Sequence, residues 1–374
     1  MPHPDFLHRR LAELREAGTY RELPGTREGV DFWSNDYLGF SREMSGGTAD
    51  FNTAPGSRLI SGDSFAISQL ETRIADFHGY PAALLFSSGY TANLGLLSCI
   101  ARRTDTIVYD ELIHASIRDG IRLSGAAARR CQHNKVEQAH RVLSEARSDG
   151  QTFFVTEARF SMDGDTAPLR AIAEACQEHG AHLIVDEAHS IGIDGPRGSG
   201  LTAELGLQQQ VFASVVTYGK APGASGAAVL GGTALRNYLV NLSRPFIFTT
   251  APRPEQLASI MRAYELLGER QSAARGALEN IITYFGDSVT DRDLATCCPL
   301  LEGPIQLVHT AGRVDVMTLE HELRERGILV KGIRPPSVPR GADRIRICLH
   351  AFNTREEVDR LTDALRDCLA TDRV

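Results

Sequence analysis

Lysine is nearly absent from this chain, whose 374 residues include 40 lysines and arginines but only three lysines, at positions 135, 220 and 331. Lys135 stands in a polar stretch typical of a solvated helix start, and Lys331 in a short strand where it could face water. Lys220 alone follows an apolar strand and enters a loop of small residues, where the backbone can approach a ligand closely. Burial there would lower the pKa of the amine and make it a nucleophile. The alternative is a strand-end lysine that extends its amine to water.

Other absences narrow the class of protein. Positive charge is not in excess, since the formal net charge is −7, so neither nucleic acid nor an anionic membrane is an expected partner. The seven cysteines form no CxxC pair, which favours reduced thiols in the cytoplasm, and no metal site is predicted. No run approaches the roughly 20 apolar residues of a membrane span, and the first residues lack the apolar core of a signal peptide. We expect a soluble cytoplasmic protein.

The order of strands and helices predicts an α/β fold. Between residues 82 and 229, apolar strands alternate with helices, a pattern that indicates a mostly parallel central sheet covered by helices on both faces. After about residue 254, a long helix over 255–275 precedes strands and helices that alternate at shorter range. We therefore expect an N-terminal helix and strand segment (1–45), a large α/β domain (46–254) and a smaller α+β C-terminal domain (255–374).

Polar residues follow several predicted strands, and in a parallel sheet these positions meet at one edge. They are Gly89, His114, Ser161, Asp186, His189 and Lys220. The Ser-Ser-Gly turn ending at Gly89 opens a helix, whose free N–H groups can hold a phosphate, although an ordinary capped turn would look the same. Asp186 and Glu187 could be helix-capping acids, or Asp186 could face a ring nitrogen. A lysine, an anion pocket and a carboxylate together match pyridoxal 5′-phosphate (PLP).

The sequence resembles a known family, the α-oxoamine synthases, which belong to the fold-type I PLP-dependent transferases. The resemblance extends from about residue 30 to the C-terminus. The segments that carry it are Ser34-Asn-Asp-Tyr-Leu-Gly39, Phe86-Ser-Ser-Gly-Tyr90, His114-Ala-Ser116, Phe160-Ser-Met-Asp-Gly164, residues 186–200, Thr217-Tyr-Gly-Lys220 and Arg334-Pro-Pro-Ser-Val-Pro339.

The resemblance implies a role for each matching residue. Lys220 would bind the cofactor covalently and act as the base, Asp186 would face the pyridine nitrogen, His189 would bond the ring hydroxyl, and His114 would stack on the ring and contact the substrate. The remaining implied cofactor contacts are Gly89, Tyr90, Ser161 and Thr217, with Thr249 or Thr250 from a second subunit. The implied substrate contacts are Arg21, Asn35, Arg346, Cys348 and His350, although relatives often carry threonines at the positions of Cys348 and His350.

The reaction implied by the resemblance is a decarboxylative condensation. L-alanine would react with a pimeloyl thioester, either of coenzyme A or of a carrier protein, and CO2 and free thiol would leave. The family also implies a homodimer with active sites at the subunit interface. Three alternatives stay open: a relative that uses glycine and acetyl-CoA, which more often has leucine at the position of Tyr218; an aminotransferase or lyase; and a catalytically silent scaffold for a partner subunit.

Overall fold

The computed structural model describes residues 12, 13, 15–18, 29–43, 56–146, 150–310, 314–335 and 338–370. Arg21, one of the predicted substrate contacts, lies outside the described residues. Within these ranges, no helix has the length and apolar character that crossing a membrane requires.

The strands and helices follow the predicted alternation through the large sheet. The strands are β1 (Val30–Asp31), β2 (Ala82–Phe86), β3 (Thr106–Asp110), β4 (Ala127–Cys131), β5 (Thr152–Glu157), β6 (His182–Asp186), β7 (Val211–Thr217), β8 (Ala227–Gly231), β9 (Ile305–His309), β10 (Ile328–Leu329), β11 (Lys331–Ile333) and β12 (Arg344–Cys348). The helices are α1 (Phe65–His78), α2 (Gly89–Ile100), α3 (Ala115–Ser124), α4 (Val136–Ser144), α5 (Leu169–Glu178), α6 (Leu201–Glu204), α7 (Thr233–Leu242), α8 (Arg244–Ile247), α9 (Pro254–Asp291), α10 (Val316–Glu325) and α11 (Arg355–Ala370).

Seven strands form the central sheet in the order β2-β8-β7-β6-β5-β3-β4. Strands β3 to β7 pair in parallel, and β8 runs antiparallel to both β2 and β7. The sheet is therefore mostly parallel, as predicted, and the carboxyl ends of β3, β5, β6 and β7 meet at one edge.

Helices cover both faces of this sheet because its inner strands are apolar on both sides. In β5, Phe153 and Val155 pack with residues of α2 and α3 on one face. Phe154, between them, packs with residues of α4 and α5 on the other. Because successive side chains of a strand point to opposite faces of the sheet, this one strand contributes to two separate cores.

The C-terminal part contains a three-stranded antiparallel sheet in the order β11-β12-β9. The predicted helix over 255–275 is longer than expected, since α9 has 38 residues and ends at Asp291. The N-terminal strand β1 pairs in parallel with β10, with Val30 opposite Ile328. Residues far apart in sequence are therefore adjacent here, which brings the 29–43 segment next to β12.

Candidate active site

A cavity of about 340 Å³ opens at the carboxyl edge of the central sheet. The predicted site residues that line it are Asn35, Gly89, Tyr90, His114, Ser161, Asp186, His189, Thr217 and Lys220. The structure therefore brings together side chains from both ends of the sequence at the edge where the parallel strands end.

Lys220 lies in the wall of this cavity, in a tight turn just beyond β7. The turn is closed by a hydrogen bond from the Gly223 N–H to the Lys220 carbonyl (2.8 Å). Burial lowers the pKa of Lys220 below its ordinary value of 10.5, while Asp186 and Glu157 act in the opposite direction. The buried setting favours the uncharged amine, which is the nucleophilic and basic form.

Asp186 ends β6 and is held on both carboxylate oxygens. Its Oδ2 accepts a hydrogen bond from Asn93 Nδ2 (2.7 Å), and its Oδ1 accepts one from the Ala188 N–H (2.9 Å). The neighbouring Glu187 points elsewhere and accepts the N–H groups of Leu201 and Thr202 at the start of α6. Of the two acids, Glu187 therefore caps a helix, and Asp186 is the one that lines the cavity.

His189 is oriented from behind by Tyr37. The buried Tyr37 hydroxyl lies 2.8 Å from His189 Nδ1, which leaves Nε2 as the ring nitrogen available on the cavity side. Burial lowers the pKa of His189 well below 6.5, and the positive charge of Lys220 and Arg346 acts in the same direction. A neutral imidazole is thus favoured, suited to a hydrogen bond with a ring hydroxyl.

Asn35 and Arg346 meet on the other side of Tyr37. Arg346 Nη2 donates to Asn35 Oδ1 (2.9 Å) and to the Tyr37 hydroxyl (3.2 Å), while its Nε donates to the Ser161 carbonyl (2.7 Å). The guanidinium is 6% exposed, so its charge acts in a low-dielectric environment, where it attracts a carboxylate more strongly than on the surface.

The N-terminus of α2 forms the opposite wall. Ser88 caps the helix by accepting the Thr91 N–H (3.2 Å), and helix geometry leaves the earlier N–H groups without intrahelical partners. A Cβ on Gly89 would stand 2.5 Å from Cγ2 of Thr217, so only glycine fits against that strand end. The buried Thr217 Oγ1 has no hydrogen-bond partner among the described residues. Free N–H groups, the positive end of the helix and an unpaired hydroxyl suit a phosphate.

Five predicted contacts do not line this cavity. One is Arg346, which reaches it only through its hydrogen bonds to Asn35 and Ser161. Cys348 is buried with Sγ 4.0 Å from Asn35 Oδ1. His350 is buried between Ser34 and Asn353 and stacks on Phe352. Thr249 and Thr250 line a separate small pocket beside Ser87 and Phe246.

Among the residues of the cavity wall that sequence reasoning missed are Asn93 and Glu157. Asn93 lies inside α2, where a single polar residue gives no signal. Glu157 ends the buried strand β5, as Asp186 ends β6, and this parallel could have identified it. Burial and the neighbouring Asp186 raise the pKa of Glu157 well above its usual value, although Lys220 opposes the shift. The neutral form of Glu157 is therefore favoured beside Asp186.

Comparison with known proteins connects this geometry to a family. A family model described as "Aminotransferase class I and II" matches residues 27–365. An 8-amino-7-oxononanoate synthase of Alkalilimnicola ehrlichii is 38% identical, with 96% of each chain covered. A solved 8-amino-7-oxononanoate synthase of Francisella tularensis is 28% identical over 92% of this chain and 99% of its own, with a TM-score of 0.77. A serine palmitoyltransferase from S. paucimobilis, solved with bound PLP-myriocin aldimine, shares the fold at 24% identity, with a TM-score of 0.84 over 97% and 96% of the two chains.

Proposed function

The chain belongs to the class I and II aminotransferase family and, within it, to the 8-amino-7-oxononanoate synthases, and we propose that it joins L-alanine to a pimeloyl thioester. It is a PLP-dependent acyltransferase with the fold of the type I enzymes. The proposed products are 8-amino-7-oxononanoate, CO2 and the free thiol, in the biosynthesis of biotin. The observation that supports the proposal best is that Lys220, Asp186 and the N-terminus of α2 line one cavity.

The residues of the cavity fit PLP. Lys220 would bind the aldehyde, Asp186 would pair with the pyridine nitrogen, and His189 Nε2 would form a hydrogen bond with the ring hydroxyl. The phosphate would rest on the N–H groups at Gly89 and Tyr90 and on the unpaired Thr217 hydroxyl. When bound, the cofactor supplies an electron sink for charge that develops at the amino-acid Cα.

The side chains of the cavity provide the remaining functions. Asn35 and Arg346 would hold the amino-acid carboxylate, since Asn35 lines the cavity and the buried Arg346 is hydrogen-bonded to it. The uncharged Lys220 amine, once free, would accept the Cα proton as general base. His114 would donate a hydrogen bond to the thioester carbonyl oxygen and so favour attack on that carbon. Ser161 would border the cofactor ring.

The choice of alanine over glycine does not come from contact with Tyr218. This side chain is fully buried, lies outside the cavity lining and packs against Tyr264 at a ring distance of 5.8 Å. Its identity can act on the substrate only through the position of the turn that carries Lys220. Alanine is therefore proposed from the relatives' activity.

A spectral titration tests this proposal. The PLP-loaded protein is expected to absorb in the visible range, and the spectrum should shift with L-alanine and again with pimeloyl-CoA. Glycine and acetyl-CoA are the matched comparison. Protein that does not take up PLP would refute the cofactor assignment. A larger response to glycine with acetyl-CoA, and formation of the corresponding aminoketone, would instead identify the sibling activity.

We further propose a homodimer whose partner completes each site. Leu59, Ile60 and Phe248 are 52%, 86% and 71% exposed, an apolar surface that a second subunit could cover. The adjacent Thr249 and Thr250 lie outside the cavity of their own chain, which fits the proposal that they reach the phosphate in the partner. A cytoplasmic location is also proposed, because all seven cysteines are free.

A further inference from the structure

Asp186 and His114 both line the cavity, and they are connected by two buried residues that have no role in the proposed mechanism. These are Asn93 in α2 and Ser116 in α3, which are 2% and 0% exposed. Asn93 Nδ2 donates to Asp186 Oδ2 (2.7 Å) and to Ser116 Oγ (3.1 Å). Ser116 Oγ in turn lies 2.7 Å from His114 Nδ1.

The direction of each hydrogen bond follows from chemistry. The carboxylate of Asp186 only accepts, so the amide of Asn93 must present its nitrogen to it; turned the other way, the amide oxygen would face the carboxylate. The second Nδ2 hydrogen then points to Ser116 Oγ. Because this hydroxyl already accepts from Asn93, its single proton is available for His114 Nδ1.

His114 Nδ1 is therefore held as an acceptor. It receives the Ser116 hydroxyl and also the Ser116 backbone N–H, 3.2 Å away. A ring nitrogen that accepts two hydrogen bonds carries no proton, so the proton of the neutral imidazole lies on Nε2. Burial also lowers the pKa of His114, as does the positive charge of Lys220, while Asp186 opposes that shift.

We propose that Asn93 and Ser116 are positioning residues that connect Asp186 to His114 and hold His114 as a neutral Nε2–H donor. The inference rests on the proposed function for the identity of the ligand, but the hydrogen-bond chain itself belongs to the protein. The connection would hold the Asp186 carboxylate and the His114 ring in a fixed mutual arrangement.

The first test uses PLP-free protein labelled with ¹⁵N-histidine, with the His114 signals assigned by comparison with His114→Asn. In the wild type, Nδ1 of His114 is expected to be unprotonated. Ser116→Ala should move that resonance, because one of two donors is lost, and Ser116→Thr should restore it. The decisive variant is Asn93→Ala, which should also move the Nδ1 resonance although Asn93 does not touch His114. An unchanged resonance in folded Asn93→Ala would overturn the proposal.

The second test measures PLP affinity by fluorescence. Asn93→Ala should bind PLP about tenfold more weakly, because Asp186 loses a charge-assisted donor, whereas Ser116→Ala should stay within about twofold of the wild type. Equal losses of PLP affinity in Asn93→Ala and Ser116→Ala would contradict the proposal that Asn93 alone of the two holds Asp186 directly. Ser124→Ala is the matched control for Ser116→Ala, because Ser124 lies on the same helix, α3. If Asn93→Ala does not fold, Asn93→Ser replaces it, since the shorter side chain cannot reach both acceptors.

The two tests separate this inference from the proposed function. If wild-type protein does not bind PLP, the proposed function fails, and the resonance of His114 in PLP-free protein still decides the hydrogen-bond chain. If PLP binds and the Asn93 variants leave the resonance in place, the inference alone fails.

Discussion

At the scale of single residues, the chemistry of this protein depends on where charge is buried. Lys220, Glu157 and Asp186 share one cavity. Burial lowers the pKa of Lys220 and raises that of Glu157, although the attraction between the amine and the acids opposes both shifts. Asp186 alone of the two acids receives a side-chain amide donor, from Asn93. Burial thus favours the neutral forms of Lys220 and Glu157 in the same cavity.

Lys220→Ala is expected to lower turnover by at least about a thousandfold, because both the covalent link to PLP and the general base are lost. Aminoketone formation with L-alanine and pimeloyl-CoA measures it. Lys135→Ala is the matched control, since Lys135 precedes α4 far from the cavity lining, and it should leave turnover unchanged. Turnover near the wild-type rate in Lys220→Ala would remove this residue from the mechanism.

The sequence predicted the residues that stand at strand ends better than those inside helices. Lys220 was conspicuous because lysine is scarce, and Asp186 because it ends an apolar run. Asn93 gave no such signal, since only the packing of α2 beside α3 brings it to Asp186 and Ser116. Ser116 appeared only as part of the segment His114-Ala-Ser116, without a role of its own. The roles assigned to all predicted site residues, Arg21, Cys348 and His350 included, stay predictions.

At the scale of elements, the start of α2 is fixed by a close contact with β7. Gly89→Ala would place a Cβ 2.5 Å from Thr217 Cγ2, so the helix start must move away from the strand end. We expect at least about tenfold weaker PLP binding, because the phosphate N–H groups move with the backbone. PLP titration measures this change.

Gly232→Ala is the control for the Gly89 variant. Gly232 also precedes a helix, α7, but an added Cβ there would meet nothing within 4 Å. This variant should bind PLP like the wild type. If Gly89→Ala also retained full affinity, the helix start would not be the phosphate site.

A second contact between elements joins β3 to the loops that follow β4 and β5. His133 Nδ1 lies 3.0 Å from Asp110 Oδ1, and its Nε2 lies 2.8 Å from Asp165 Oδ2. Burial opposes a charge on His133, but the hydrogen bonds to both carboxylates raise its pKa to about 10. The folded protein therefore binds this proton more tightly than the unfolded chain, whose histidines titrate near 6.5.

His133→Gln should lower the free energy of unfolding by about 2 kcal/mol at pH 6, a value kept modest because Asp165 is partly exposed. The difference from wild type should be full below pH 6.5 and should shrink as the pH rises towards 10. Urea unfolding at pH 6 and pH 9.5 measures it, with His182→Gln as control. A difference that grows with pH would contradict the assignment.

Element boundaries show where sequence patterns are weakest. The helix α9 was predicted to end at 275, where Gly276 follows, yet it continues to Asp291. An added Cβ on Gly276 would meet no atom within 4 Å, so this glycine marks neither a turn nor a close contact. The antiparallel direction of β8 was also not predictable, because a short strand of small residues has the same pattern in either direction. The domain boundaries at 45 and 254 stay a prediction.

At the scale of the whole molecule, the proposed dimer depends on the apolar surface around Ile60 and Phe248. The turn that carries Ile60 packs on the 249–252 segment through a hydrogen bond from the Ala251 N–H to the Gly56 carbonyl (2.8 Å). A partner subunit that covers this surface would therefore also fix the position of Thr249 and Thr250.

Ile60→Glu with Phe248→Glu is expected to convert a dimer into monomers and to weaken PLP binding, because each site would lose its contacts from the partner. Sedimentation velocity and PLP titration measure the two effects. Leu123→Glu, at a residue that is 66% exposed on α3, should leave the dimer intact. A wild-type protein that is monomeric and fully active would contradict the proposal.

The hydrogen bond between Asn35 and Arg346 joins residues 311 positions apart. During translation, the strands of the central sheet are complete once residue 231 has emerged from the ribosome, whereas Arg346 is made more than a hundred residues later. A chain that ends before residue 346 would thus contain the residues proposed to contact the vitamin B6 aldehyde but would lack the guanidinium proposed to bind the carboxylate of an amino acid. The capacity to turn over substrate would be acquired only at the end of synthesis.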